Sequence, residues 1–160
     1  MADDLRIRLA EPADIDAVLA MMPRLAMFEL PEQRDARDLW RHDAATAQRW
    51  ADGDAPNCRI HVAEVDGDIV GLAMVTMRPE LLSEAPSAHL EALAVSDGFE
   101  GRGLGHGLMQ AAEQDALEQG AESITLHVFA RNERARALYE RRGFDGELMR
   151  YIKRFDDKDA

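Results

Sequence analysis

Thiols are almost missing from this sequence: Cys58 is the only cysteine. One cysteine cannot build an intramolecular disulfide framework or a thiolate zinc cluster. The five histidines, at 42, 61, 89, 106 and 127, show no HExxH or similar ligand spacing, so no metal site is expected. No apolar run approaches the roughly 20 residues of a membrane-spanning helix. The opening residues, MADDLRIRLA, are acidic and lack the apolar stretch of a signal peptide. Basic charge is scarce as well: 19 Lys and Arg stand against 31 Asp and Glu, for a net charge of −12. Nucleic acid is held by neutralising its phosphates with Lys and Arg, so that class is disfavoured. An acidic field suits a cationic partner, and it also suits plain solubility. Together these absences predict a cytoplasmic, metal-free protein with neither membrane nor nucleic acid as partner.

What is present is enough for a core. Of 160 residues, 46% are hydrophobic and 31% charged, so residues 1–160 read as a single domain. LRIRLA (5–10) alternates apolar and polar, a half-buried strand. Pro12 suits a helix's first turn, and Ile15, Val18, Leu19, Met22 and Leu25 mark one helical face that Pro31 ends. Residues 32–52 read as helix in one or two pieces, with Leu39, Trp40, Ala47 and Trp50 as core contacts. Two β-rich runs, 58–65 and 68–77, flank Asp66-Gly67, a tight hairpin signal. After a loop at 78–87, a strand is expected at 88–95, a helix at 104–119, a strand at 123–130 and a helix from Asn132 to Arg142. ELMRYIKRF (147–155) reads as a final strand. The order β-α-α-β-β-β-α-β-α-β predicts an α/β fold: a mixed central sheet of six strands, or seven, with helices on both faces.

Between the strand at 88–95 and the next helix lies FEGRGLGHG, with glycines at 101, 103, 105 and 107. A dinucleotide fingerprint needs glycines at i, i+2 and i+5. From Gly101 the third position is His106, and from Gly103 it is Leu108, so the pattern fails twice. No Gly-Lys-Ser/Thr triplet exists for a phosphate-hydrolysing loop. A helix opening just after a strand is still an anion site, through free N–H groups and the helix dipole. Each charge-assisted hydrogen bond there contributes ~1.5–3 kcal/mol. A glycine-rich turn with no ligand is the plain alternative.

NERARALYERRGF (132–144) follows the next strand. Together the two segments resemble the GNAT superfamily of acyl-CoA-dependent N-acetyltransferases. The resemblance rests on Leu93-Ala94-Val95, then Glu100-Gly101-Arg102-Gly103-Leu104-Gly105, and downstream Asn132, Ala135, Leu138, Tyr139, Gly143 and Phe144. IRLAEPADIDAV (7–18) is similar to the family's first strand and helix, so the likeness covers nearly the whole chain. It departs at two places. Glu100 stands where the family favours Gln or Arg. A carboxylate ~7 Å from a phosphate costs about 2 kcal/mol at an effective dielectric near 20, so Glu100 is expected to face solvent with Arg102 offsetting it. The family also closes with a two-strand hairpin, whereas the 16 residues after Phe144 supply one strand. The missing strand is either absent or replaced by a partner chain, and the sheet edge left open predicts a homodimer.

The resemblance implies acetyl-CoA as co-substrate, with its pyrophosphate on residues 100–105 and its pantetheine arm along Ala94 and Val95. It places Asn132 against the CoA arm, although Asn132 is equally a helix cap. By spacing Tyr139 is a packed aromatic; by resemblance it protonates the departing CoA thiolate or hydrogen-bonds the sulfur. Glu91, four residues before Val95 on the same strand face, is the first candidate for the base that deprotonates the amine. A solvent-facing Glu91 is the alternative, and His89 and His127 are further candidates. The expected activity is acetyl transfer to a cationic or neutral amine, on a small molecule or a peptide, by direct attack. An acyl-CoA sensor without turnover, and a protein N-terminal or lysine acetyltransferase, are the competing readings.

Overall fold

In the computed structural model, which describes residues 4–156, the chain runs β1 (Leu5–Leu9), α1 (Ile15–Met21), α2 (Arg41–Ala51), β2 (Cys58–Val65) and β3 (Asp68–Pro79). It continues through β4 (Pro86–Val95), α3 (Leu104–Glu118), β5 (Ser123–Leu126) and α4 (Glu133–Arg141). Short 3-10 turns at Pro12–Asp14, Met22–Ala26 and Ala36–Leu39 flank the first two helices. The first helix gives way at Met22, well before Pro31. Pro23 explains this, because it lacks the N–H that another α-turn needs.

One sheet carries the strands in the order β1-β2-β3-β4-β5. The first four pair antiparallel and β5 lies parallel to β4, with α3 as the crossover that a parallel pair requires. Helices cover both faces. Ile60, Val62, Leu72, Met74, Ala92 and Ala94 bury against Val18, Met22 and Ala47 of the first two helical segments. Ala63, Val65, Ala73, Val75, Ala88 and Leu90 bury against Leu108, Met109 and Ala112 of α3.

β4 thus changes sides. Ala88 and Leu90 face α3, whereas Ala92 and Ala94 face the opposite helices. Strict alternation along a strand forbids this unless one residue is inserted. The inserted residue is Glu91: Val75 pairs with Leu90, Met74 pairs with Ala92, and nothing on β3 stands opposite Glu91. Such a bulge bends its strand and re-aims side chains. It also corrects the expectation that Glu91 and Val95 share a face, because residues on either side of the bulge no longer keep common parity.

The far edge departs from the sequence reading. The strand expected at 147–155 is not formed; residues 145–156 carry no helix or strand and are exposed throughout. Among the described residues the sheet therefore has five strands, not six or seven. A strand exists only where a neighbouring edge takes its N–H and C=O groups, and no edge among the described residues pairs with this segment. β5 is shorter than expected for a related reason. Its pairing with β4 stops at Leu90↔Leu126, where the Glu91 bulge turns β4 away.

Candidate active site

Because β4 and β5 part at Leu90↔Leu126, the β5-side edge of Glu91–Val95 has no strand beside it among the described residues. A cleft of about 580 Å³ occupies the gap. Glu91, Leu93, Ala94 and Val95 line one wall; His127, Val128, Phe129, Asn132, Ala135 and Tyr139 line the other. Glu100, Gly101, Gly103, Leu104 and Gly105 lie along the same cleft.

The four glycines divide into two pairs. Gly101 and Gly103 both take φ +77°, a left-handed conformation that other residues adopt only under strain. Nothing lies within 4 Å of where a Cβ would stand at either, so an incoming phosphate meets open space. Gly105 and Gly107 serve packing. A Cβ on Gly105 would stand 3.3 Å from Leu138 Cδ2, and one on Gly107 only 2.7 Å from Ile7 Cδ1, which lets α3 settle close on β1. Gly103 caps α3, and its carbonyl takes the first bond of the helix, from the Gly107 N–H, at 3.0 Å. The N–H groups of Leu104, Gly105 and His106 have no backbone acceptor among the described residues. Three unpaired donors and a dipole at the mouth of a cleft suit a pyrophosphate.

Glu100 is exposed, as expected, but its carboxylate is held by Arg24 and Arg134. Arg24 Nη2 donates to its Oε1 at 2.6 Å, and Arg134 Nη1 stands 3.1 Å from Oε2. Arg24 Nε also donates to the Val95 carbonyl at 3.1 Å, tying the end of β4 to the loop. The carboxylate is neutralised by these two arginines. The Arg102 guanidinium lies 4.9 Å over the Phe99 ring, and Arg102 is not part of the cleft lining.

Tyr139 packs edge-on against Phe144 at 5.7 Å, and burial alone pushes its phenol up to about 12. No protein group among the described residues hydrogen-bonds the hydroxyl. A phenol of this kind keeps its proton at neutral pH and can offer it as a hydrogen bond to a departing group. Asn132 caps α4 by accepting the Ala135 N–H at Oδ1, at 3.3 Å.

Deeper along β4, Glu91 shares the cleft with Asp43 of α2. Burial, and then the neighbouring Glu91 charge, pushes the Asp43 carboxyl up to about 7. Asp43 escaped the sequence reading. The signal was available, because Asp43 falls one helical turn from the fully buried Ala47, in what should be an apolar stripe. His89 is brought elsewhere: it is buried, hydrogen-bonded to Thr125 Oγ1 at 2.8 Å, and outside the cleft lining. Burial, Arg78 and His127 lower its pKa to about 4, so it is neutral and engaged. His127 does line the cleft, with its ring 4.8 Å from that of His89. The Cys58 thiol is buried and pushed up to about 12, which makes it a poor nucleophile.

With this geometry in view, the comparisons converge. The family model described as "Acetyltransferase (GNAT) family" matches residues 22–144. A mycothiol acetyltransferase of Propionibacterium freudenreichii subsp. shermanii is 30% identical over 149 residues, which is 90% of this chain and 44% of that relative. The chain therefore spans less than half the length of that relative. An uncharacterized N-acetyltransferase of Bacillus subtilis, YhfO, is 27% identical over 88% of this chain and 90% of its own. Among solved structures, an aminoglycoside N-acetyltransferase, AAC(6')-Iy, in complex with CoA superposes with a TM-score of 0.73 at 18% identity. That alignment covers 98% of this chain and 97% of the other. The chain belongs to the GNAT acetyltransferase family.

Proposed function

We propose that residues 1–160 form one acetyltransferase domain that moves the acetyl group of acetyl-CoA to a primary amine by direct attack in a ternary complex. One observation carries the reading: the gap between β4 and β5 joins the unpaired donors at the start of α3 to a half-buried tyrosine and two half-buried acids in one cleft of about 580 Å³. Residues 100–105 hold the pyrophosphate, with the approach left open at Gly101 and Gly103. The free edge of Leu93, Ala94 and Val95 receives the pantetheine amides as a neighbouring strand would, and Asn132 and Ala135 border the arm. A main-chain N–H of β4 aimed at the thioester oxygen stabilises the charge that develops there.

The amine arrives at Glu91 and Asp43. The Asp43 carboxyl, pushed up to about 7 by burial and then by the Glu91 charge, is half-charged near neutral pH. The pair draws a cationic amine in and takes its proton, with Glu91 as the first acceptor. The nitrogen attacks the thioester carbonyl, the C–S bond breaks, and the Tyr139 hydroxyl hydrogen-bonds the leaving sulfur, which takes up the proton released by the amine. The high Cys58 pKa supports direct attack over an acetyl-cysteine intermediate. The Arg24 and Arg134 contacts to Glu100 favour turnover over a sensor role, because they remove the one residue that argued against tight CoA binding. A reduced, buried Cys58 is compatible with work in the cytoplasm, and the open edge of β5 supports a homodimer.

The test is thiol release from acetyl-CoA against a panel of cationic, neutral and anionic amines and amino-terminal peptides. Amine-dependent release with an acetylated product of matching mass is expected. Acetyl-CoA binding without release against every amine would favour the sensor.

A further inference from the structure

Glu91 lines two cavities. One is the cleft already described. The other, of about 280 Å³, lies on the α2 side of the sheet, where the start of β2 and the end of β3 meet the bulge in β4. Three of its residues come from one face of α2, because His42, Thr46 and Arg49 fall at i, i+4 and i+7. Arg78 of β3 and Asn57, just before β2, line it as well.

The charge of this cavity is opposite to that of the molecule. The chain carries −12, yet the cavity is lined by Arg49 and Arg78 with Glu91 as its one carboxylate. Arg78 Nη2 stands 3.8 Å from Glu91 Oε1, too far for a hydrogen bond. Arg49 Nη2 donates to the Asp54 carbonyl at 3.4 Å, and no carboxylate pairs with it among the described residues. The side chains of Thr46 and Asn57 likewise make no hydrogen bond to the described residues.

Two arginines and one carboxylate leave a single positive charge over, in a hollow with neutral hydrogen-bonding groups beside it. A guanidinium presents its N–H groups in a fork that matches a carboxylate. One carboxylate balances the charge, whereas a phosphate dianion exceeds it and crowds Glu91. Next door, Glu91 and Asp43 suit an ammonium. The two cavities thus sort the two ends of one small molecule, with Glu91 at their junction. Such a molecule is net neutral, so the acidic field of the chain does not repel it.

We propose that the second cavity is a carboxylate subsite and that the acceptor is a free amino acid, its ammonium at Glu91 and Asp43 and its carboxylate between Arg49 and Arg78. The proposal rests on the acetyl-transfer reading and narrows its acceptor from amines at large to zwitterions. The thioester C–S bond breaks and a C–N bond forms. Of the two protons the ammonium nitrogen loses, one reaches the sulfur and one reaches solvent. The products are the N-acetyl amino acid and the free CoA thiol. A peptide amino terminus is a poorer acceptor, because it brings an amide where the arginines need a charge.

The test offers acceptors in matched sets. α-Amino acids and short ω-amino acids are each compared with their carboxamides, which stand in for a peptide bond, and 2-aminoethyl phosphate is the phosphate probe. The best amino acid should exceed its carboxamide about 10-fold in kcat/KM by thiol release. Arg49→Gln should raise KM for that amino acid about 10-fold and leave KM for its carboxamide and the affinity for acetyl-CoA unchanged. Arg49→Lys, which keeps the charge, should restore part of the loss. Carboxamides used as well as the acids, a best rate with 2-aminoethyl phosphate, or a preference for the acids that survives both Arg49→Gln and Arg78→Gln would each overturn the subsite while leaving acetyl transfer standing. Thiol release with no amine at all would overturn acetyl transfer instead. Calorimetry on the CoA-loaded protein then judges the cavity separately: amino-acid binding that Arg49→Gln abolishes supports the subsite, and no binding by the parent overturns it.

Discussion

At the end of β4 the cleft is lined with main chain: the free edge at Val95, the glycine turn at 101–103 and the open N–H groups of α3. Four residues earlier on the same strand, about 13 Å away at ~3.3 Å per residue, it is lined with side chains, Glu91 and Asp43. The main-chain end works by leaving atoms out, so only small or missing side chains keep it open. The side-chain end works through charged groups held where water is scarce. The first kind of site is damaged by adding atoms and the second by removing them, and the predictions follow that division.

The largest effect is expected between the two ends, at Tyr139. Tyr139→Phe keeps the ring contact with Phe144 and removes the proton. kcat should fall about 100-fold with acetyl-CoA affinity unchanged, as read by steady-state kinetics and calorimetry. Full activity would return Tyr139 to being a packed aromatic.

Next is an addition at the main-chain end. Gly105→Glu sets a carboxylate in the first turn of α3, where even a Cβ touches Leu138. One such charge ~7 Å from the pyrophosphate weakens acetyl-CoA binding by about 30-fold. Calorimetry showing parental affinity would break the comparison, because this end would then tolerate added atoms.

Removal at the side-chain end should cost less and show in the pH profile. The Asp43 carboxyl sits near 7 in the fold and near 3.8 unfolded, so the folded state favours its protonated form. The stability this brings is complete below about pH 4 and is lost as pH rises through about 7. Asp43→Asn should therefore melt progressively higher than the parent between pH 4 and 7, with the gain level above pH 7. The same substitution should lower kcat/KM about 10-fold at pH 8 and remove the acidic limb near pH 7. Glu91→Gln should also shift that limb. A melting gain that does not change with pH would show that Asp43 is not held protonated.

The smallest effect is long-range. For a polycationic acceptor, kcat/KM should fall several-fold from about 10 mM to 150 mM salt, as the acidic field is screened. Equal rates at both salts, or a preference for anionic acceptors, would remove electrostatic steering from the account.

The two ends were also unequally legible in the sequence. A glycine turn is local chemistry, so residues 99–107 announced it, although only the packing of Gly105 on Leu138 and Gly107 on Ile7 separated turn glycines from spacing glycines. The acid pair is not local. Glu91 owes its direction to a bulge, and a bulge is a relation between β4 and β3 that neither strand's sequence displays alone. Asp43 is 48 residues away and meets Glu91 only because α2 packs across the sheet. The arginine that holds Glu100 is hidden in the sequence for the same reason, since Arg24 lies 76 residues upstream. At 147–155 the sequence showed a strand's composition, but pairing needs an edge, and β5 of the same chain does not take it.

The central claim is that one cleft holds acetyl-CoA and the amine together while the acetyl group passes directly between them. The most direct measurement is a two-substrate initial-rate matrix, with thiol release recorded as acetyl-CoA and the best amine are each varied against the other. Double-reciprocal lines that intersect to the left of the rate axis are the expected result. Parallel lines would mean an acetylated enzyme intermediate, and with Cys58 buried at a pKa of about 12 this account provides no residue to carry it.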